Sequence, residues 1–234
     1  MSFQQFKALT FDVVGTLIDF ETGMLNYIRS VAGDAGKEIS DEKILDVYRR
    51  LRTEDKAGLW PDDMERCYHV IAAELGLPDS EAIAKGLPLA VKDFPAFADS
   101  VEALKRLKRH FTLVANTNSR DWGLDFMEVT LDSPFDVRVT VDDVRFEKPD
   151  PQFFAYTRGV LATQGIGFDE ILHVAQSQYH DIGVTRRLGY KNCWIERRHA
   201  KQGTGGTVYA EHTDPDFHYR SLAELADAVE KELG

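Results

Sequence analysis

FDVVGTL, residues 11–17, decides how this chain is read. The run leading into it from Phe6 is rich in Phe, Leu and Thr and reads as a buried strand. It ends on an acid, Asp12, and breaks at Gly15 and Thr16 into a tight turn. In open α/β sheets, ligands and chemistry collect at the carboxyl ends of the strands. Asp12 is therefore either a nucleophile or the cap of the helix that follows, the commoner task of an aspartate beside a turn. Thr16 divides likewise, between a hydrogen bond to Asp12 across the turn and a cap of the next segment.

Three more stretches follow in order, two of them apolar strands opening into polar residues. Strand 111–115 runs into Asn116, Thr117, Asn118 and Ser119. RFEKPDP, 145–151, places Lys148 just before a helix that Pro149, Asp150 and Pro151 begin. ILHVAQSQYHD, 171–181, leaves a strand for a polar loop and closes on Asp181. Lys148 is read either as an ordinary surface lysine or as the partner that holds Asp12 ionised, an opposite charge within about 4 to 6 Å lowering a carboxylate pKa. Asp181 orients Lys148 or a water, or caps the next helix, and both can hold at once.

The rest of the chain supplies the scaffold. From 100 onward helices and strands alternate: helix 100–109, strand 111–115, helix 121–131, strand 137–140, helix 151–164, strand 171–175, helix 181–188 and strand 192–195. This alternation predicts an α/β fold, a doubly wound parallel sheet with helices on both faces. Between 19 and 94 strand signals vanish, and apolar residues recur at helical spacing through 24–31, 44–51 and 67–77. We expect a helical cap domain, 19–94, inserted into a core of 1–18 and 95–234, with KDFPAFADS, 92–100, as the point of re-entry. Segment 201–219, with Gly203, Gly205, Gly206 and Pro215, reads as a long surface loop before a helix from Ser221, more a connector than the rim of a site.

Composition sets limits. A chain of 234 residues can bury a full core and supports one domain with a modest insertion. A net charge of -11 without a basic stripe argues against a nucleic-acid surface, and KRLKR, 105–109, reads as the solvated face of a helix. Cys67 and Cys193 lie far apart with no metal-type spacing, which predicts reduced, buried thiols. The opening residues lack the pattern of a signal peptide, and no stretch nears the roughly 20 apolar residues of a membrane span, so a cytoplasmic protein is expected.

The four motifs, in this order and spread over 6 to about 194, resemble those of the haloacid dehalogenase superfamily of hydrolases. TFDVVGTLID, KPDPQFF, LHVAQSQYHD and CWIERRHAKQG are most similar to its metal-independent 2-haloacid dehalogenases and to the related enzyme that opens the ring of azetidine-2-carboxylate. The resemblance implies that Asp12 attacks C2 of a small carboxylate, expels halide or a ring nitrogen, and forms an ester that water then hydrolyses. It implies Lys148, Asp181 and Thr16 beside the nucleophile, and a substrate held by Asn116, Thr117, Ser177, Gln178 and nearby amides. It also implies a cap arginine, for which Arg49 is the aligned choice with Arg50 and Arg52 competing, and a homodimer. Phe20, Trp60, Phe94 and Phe97 are candidates for apolar walls, with plain packing as the alternative.

Superfamily members that work on phosphate carry a second acid two residues after the nucleophile and acids in the fourth motif that help hold magnesium. Here those places fall to Val14 and Gln176, which implies a site without metal or cofactor and not a phosphatase. Against the dehalogenase pattern, Val14 replaces a tyrosine, Ala115 a serine, Phe154 a tyrosine and Gln178 an asparagine. Losing a hydrogen bond to a charged group costs about 1.5 to 3 kcal/mol, so reaction type is better supported than substrate. A phosphatase and a non-catalytic relative that binds an anion or a protein stay as rival readings.

Overall fold

The computed structural model describes residues 2–201 and 203–234. In chain order its main elements are β1 (Ala8–Phe11), α1 (Phe20–Ala32), α2 (Asp41–Leu51), α3 (Met64–Leu75), α4 (Glu81–Leu89), α5 (Ser100–Leu107), β2 (Thr112–Thr117), α6 (Asp121–Thr130), β3 (Val137–Thr140), α7 (Val141–Val144), α8 (Pro151–Thr163), β4 (Ile171–Ala175), α9 (Gly183–Arg187), β5 (Lys191–Ile195), β6 (Phe217–Tyr219) and α10 (Leu222–Leu233).

The strands form one sheet in the order β3-β2-β1-β4-β5-β6, every neighbouring pair parallel. Apolar runs such as ALTF and ILHVA are buried along their whole length because helices cover both faces, as a parallel sheet requires. One apolar cluster joins the sheet to α5, α10 and the inserted helices. A second, on the opposite face, gathers Val114, Val139, Phe153, Phe154 and Ile171. The order reverses between β1 and β4, and at such a switch point the strand ends splay into a crevice. Phe11 pairs with Ala115 on one side and Val174 on the other, so the residues just past all three strands meet at one edge.

Helices α1 to α4 lie between β1 and β2 in sequence. The chain leaves and returns side by side: Ile18 bridges Ala96, Asp19 N–H donates to the Pro95 carbonyl at 2.8 Å and Phe97 N–H to that of Leu17 at 3.0 Å. Gly86 makes room within the insertion, since a Cβ there would stand 1.9 Å from the Tyr27 hydroxyl, which donates to the Ile83 carbonyl. Cys67 and Cys193 are buried and unpaired, and burial pushes the Cys67 thiol up to about 12. Among the described residues no helix is long and apolar enough to cross a membrane.

Three expectations change. β2 runs on to Thr117, so Ala115 sits inside the sheet and the strand-end position falls two residues later. Within the expected loop 201–219, 217–219 form β6: Asp216 and Asn192 clamp each other's backbone N–H at 3.1 Å, and Phe217 stacks on Phe3 at 4.7 Å. The helix expected over 181–188 begins instead with a wide turn, Gln178–Ile182, whose cap is Ser177, accepting from His180 N–H at 2.9 Å. Asp181 is thereby released from capping and points inward.

Candidate active site

Asp12 follows β1, and the positive φ of +88° at Gly15 turns the chain so that Thr16 comes back over it. Thr16 Oγ1 accepts from Gln176 N–H at 2.9 Å, so its one proton is left for Asp12 Oδ2, at 2.6 Å. Lys148 is 2% exposed and spends its three N–H bonds on Asp12 Oδ1 (2.9 Å), the Asn116 carbonyl (2.8 Å) and Asp181 Oδ1 (2.7 Å). Its backbone is clamped by Asn118, whose side chain accepts from Lys148 N–H at 2.7 Å and donates to its carbonyl at 2.9 Å. His173 shares a hydrogen bond with Asp181 Oδ1 at 3.0 Å, and Thr10 bonds the other ring nitrogen at 2.8 Å. Asp181 Oδ2 is buried with no hydrogen-bond partner.

Burial raises the Asp12 carboxyl above its ordinary value, Asp181's charge adds to the rise, and Lys148 and Thr16 pull the other way without cancelling it. The expected lowering by Lys148 is present but outweighed. Burial also opposes the charge on Asp181, yet Lys148 and His173 hold that carboxyl down at about 2. Burial would lower Lys148, but Asp12 and Asp181 more than compensate, so it stays an ammonium. Both Asp12 oxygens accept hydrogen bonds, as an ionised carboxylate does.

Asp12 and Lys148 form the floor of a cavity of about 390 Å³. Phe20 and Trp60 line it as expected, as do Thr117 and Ser177. Five expected contacts lie elsewhere. Side chains alternate along β2, so Thr117 faces the cavity and Asn116 turns away, accepting from Thr157 at 3.0 Å. Gln178 accepts from Thr213 N–H at 2.9 Å, on the far side of the 203–210 segment. Arg49 bonds Asp46 and the Gly205 carbonyl, and Arg52, one turn further along, takes the place in the cavity wall. Phe94 packs where a Cβ on Gly23 would come within 2.3 Å of its ring, and Phe97 lies under the Arg197 guanidinium at 4.2 Å.

The sequence reading missed several wall residues. Gly206, Thr207 and Val208, in the segment taken for a connector, close one side; Glu21 accepts from Gly206 N–H at 2.8 Å and Gln176 donates to Thr207 at 2.8 Å. Tyr48, Glu147 and His180 also face the cavity. Burial pushes His180 down to about 4, with Lys148 and Arg52 adding and Asp181 opposing. Arg52 donates to Asp63 at 2.5 Å and to the Gly58 carbonyl at 2.8 Å.

A model of the haloacid dehalogenase-like hydrolase family matches residues 6–175. The chain belongs to that family. Among similar proteins, the (S)-2-haloacid dehalogenase 4A of Burkholderia cepacia is 24% identical over 97% of this chain and 96% of its own. The (S)-2-haloacid dehalogenase of Pseudomonas putida is 24% identical over 94% and 95%. The structure of L-2-haloacid dehalogenase from Xanthobacter autotrophicus with chloropropionic acid covalently bound superposes with a TM-score of 0.75 at 20% identity, covering 96% of this chain and 98% of that one. In this family member the side chains that meet at the strand ends are those of the four motifs.

Magnesium, which phosphate-cleaving members of the superfamily use, wants several hard oxygen ligands. Around Asp12, Val14 offers none, Lys148 occupies Oδ1, and Gln176 aims its amide nitrogen at Thr207. These residues do not fit the ion.

Proposed function

We propose that this haloacid dehalogenase-like hydrolase acts without metal at C2 of a small carboxylate, through an ester on Asp12, with 19–94 as a cap over a core of 1–18 and 95–234. Asp12, ionised and facing the cavity, attacks C2 and the leaving group departs as halide or ring nitrogen. Water then adds to the ester carbonyl carbon, the 2-hydroxy acid leaves, and Asp12 returns as a carboxylate. Lys148 and Thr16 fix the two Asp12 oxygens, which holds the nucleophile in one orientation. Asp181, joined to Asp12 through Lys148 and buried behind it, orients that lysine toward the nucleophile. Thr117 and Arg52 are the donors for the substrate carboxylate, and Phe20 and Trp60 its apolar walls.

The observation that carries this reading is the pairing of Asp12 with a lysine whose three donors are all used, beside Val14 and Gln176, which do not fit magnesium at that carboxylate. The test is turnover by chelator-treated protein of (S)-2-chloropropionate, haloacetates and L-azetidine-2-carboxylate. Product from any of these, lost in Asp12→Asn, is the expected result. Magnesium-dependent hydrolysis of an aryl phosphate in place of these reactions would overturn it in favour of a phosphatase.

A further inference from the structure

Behind the cavity floor lies a buried pair that does not touch Asp12. His173 stands on β4 in register with Thr10 of β1, its Nε2 3.0 Å from Asp181 Oδ1 and its Nδ1 2.8 Å from Thr10 Oγ1. An ionised carboxylate only accepts, so the ring proton sits on Nε2. Among the described residues Thr10 Oγ1 has no other partner, and its proton goes to Nδ1. The imidazole is thereby held in one tautomer, and Phe154 packs against it at right angles, 5.4 Å between ring centres, offering no hydrogen bond. Asp181 in turn is held through one oxygen: Oδ1 accepts from His173 and from Lys148 at 2.7 Å, while Oδ2 is buried with no partner. Burial opposes the charge on Asp181, and these two donors are what keep it.

We propose that His173, backed by Thr10, is a positioning residue for hydrolysis of the ester: it holds Asp181 ionised, and thereby Lys148 protonated, after Asp12 has lost its charge. The inference rests on the aspartyl-ester reading and concerns its second step. Before attack, Lys148 faces two carboxylates, Asp12 at 2.9 Å and Asp181 at 2.7 Å, and Asp12 alone suffices to keep it an ammonium. Once Asp12 is esterified, Asp181 is the counter-charge that remains. A buried lysine beside a single carboxylate can pass its proton across and leave both groups neutral. The Nε2–H bond opposes that transfer, because it stabilises the charged carboxylate over the protonated one. The ammonium is needed at this stage. Water adds to the ester carbonyl carbon, an electron pair moves onto the carbonyl oxygen, and Lys148 beside it steadies the negative charge. The bond from that carbon to the oxygen carried on C2 then breaks. The 2-hydroxy acid leaves with one water proton, solvent takes the other, and Asp12 returns as a carboxylate.

The test separates the two steps. Enzyme in excess is mixed with whichever of (S)-2-chloropropionate and L-azetidine-2-carboxylate the wild type turns over faster, and quenched samples are weighed. The runs give the rate at which the ester on Asp12 forms and the rate at which it decays. In His173→Leu, decay is expected to slow by on the order of tenfold or more, with formation within about threefold of wild type. His173→Gln, whose amide nitrogen reaches the place of Nε2, should restore most of the decay rate. Thr10→Val removes the proton given to Nδ1 with little change of shape, and decides the matter where His173→Leu does not fold: decay should slow several-fold and formation stay as it was. Equal slowing of both steps overturns the inference. So does unchanged decay in both His173→Leu and Thr10→Val, or decay in His173→Gln as slow as in His173→Leu. The aspartyl-ester reading fails separately, and this inference with it, if wild-type protein forms no adduct and takes no oxygen-18 from solvent into Asp12 over repeated turnovers.

Discussion

The floor and the roof of the cavity are built on opposite principles. On the floor, Asp12, Thr16, Lys148 and Asp181 come from strand ends, are almost wholly buried, and leave one oxygen, Asp181 Oδ2, without a partner. The roof is assembled from α2, Trp60 and the 206–208 segment, and it meets Glu147 at the wall, whose Oε1 has Arg52 at 3.6 Å but no hydrogen-bond partner. A polar network with all but one of its groups bonded holds one geometry. An incompletely satisfied wall leaves binding energy for whatever enters. On the proposed function, the difference assigns reaction type to the floor and substrate choice to the roof and wall.

Variants in the two regions should therefore fail in different ways. Asp12→Asn is expected to lower turnover by on the order of 10⁴-fold or more while leaving the melting profile unchanged; measurable turnover close to wild type would break the contrast at its root. Lys148→Met strands two buried carboxylates. A loss of about 3 to 5 kcal/mol in denaturant unfolding should accompany loss of activity, and an unaltered unfolding midpoint would mean the floor is not the network described.

In the roof, Gly205 sits at φ +66°, where a Cβ would lie 2.1 Å from Glu21 and 2.4 Å from Arg198. Gly205→Ala is expected to cost about 1 to 2 kcal/mol and to raise KM several-fold with kcat little changed. A fall in kcat alone would move that segment into the chemistry. The last effect appears only on acidification. His180 is held down at about 4 against an ordinary 6.5, so the folded state favours its neutral form. The stability this contributes is complete above pH 6.5 and is lost as pH falls toward 4. Asp181, at about 2 against 3.8, adds a further loss only below pH 3.8. Unfolding free energies across this range should show the first loss in wild type and lack it in His180→Gln.

How much was legible follows the same division. The meeting of Asp12, Lys148 and Asp181 is legible because an acid past an apolar strand, or a lysine before a proline-led helix that follows one, is a local pattern that a parallel sheet gathers at one edge. The wall depends on contacts distant in sequence. Arg49 and Arg52 are one helical turn apart, and only the packing of α2 decides which reaches the cavity. Of Asn116 and Thr117, both expected at the substrate, only Thr117 faces the cavity: β2 runs on to Thr117, and side chains alternate along a strand, so the two cannot share a side. The 203–208 glycines look like connector from composition, yet Glu21 and Glu42 of the insertion bind their backbone amides across the fold. His173 looked like one more residue of a buried strand; the signal for it was a histidine in phase with Thr10 of the neighbouring strand.

The central claim is that Asp12 itself carries the substrate. Wild-type protein, free of metal, is taken through many turnovers in oxygen-18 water with L-azetidine-2-carboxylate and, separately, with (S)-2-chloropropionate, and the peptide holding Asp12 is weighed. Label entering the Asp12 carboxylate, and reaching product only by way of it, is the predicted result. Label in the product with Asp12 unlabelled would mean that water attacks the substrate directly, and would contradict the account.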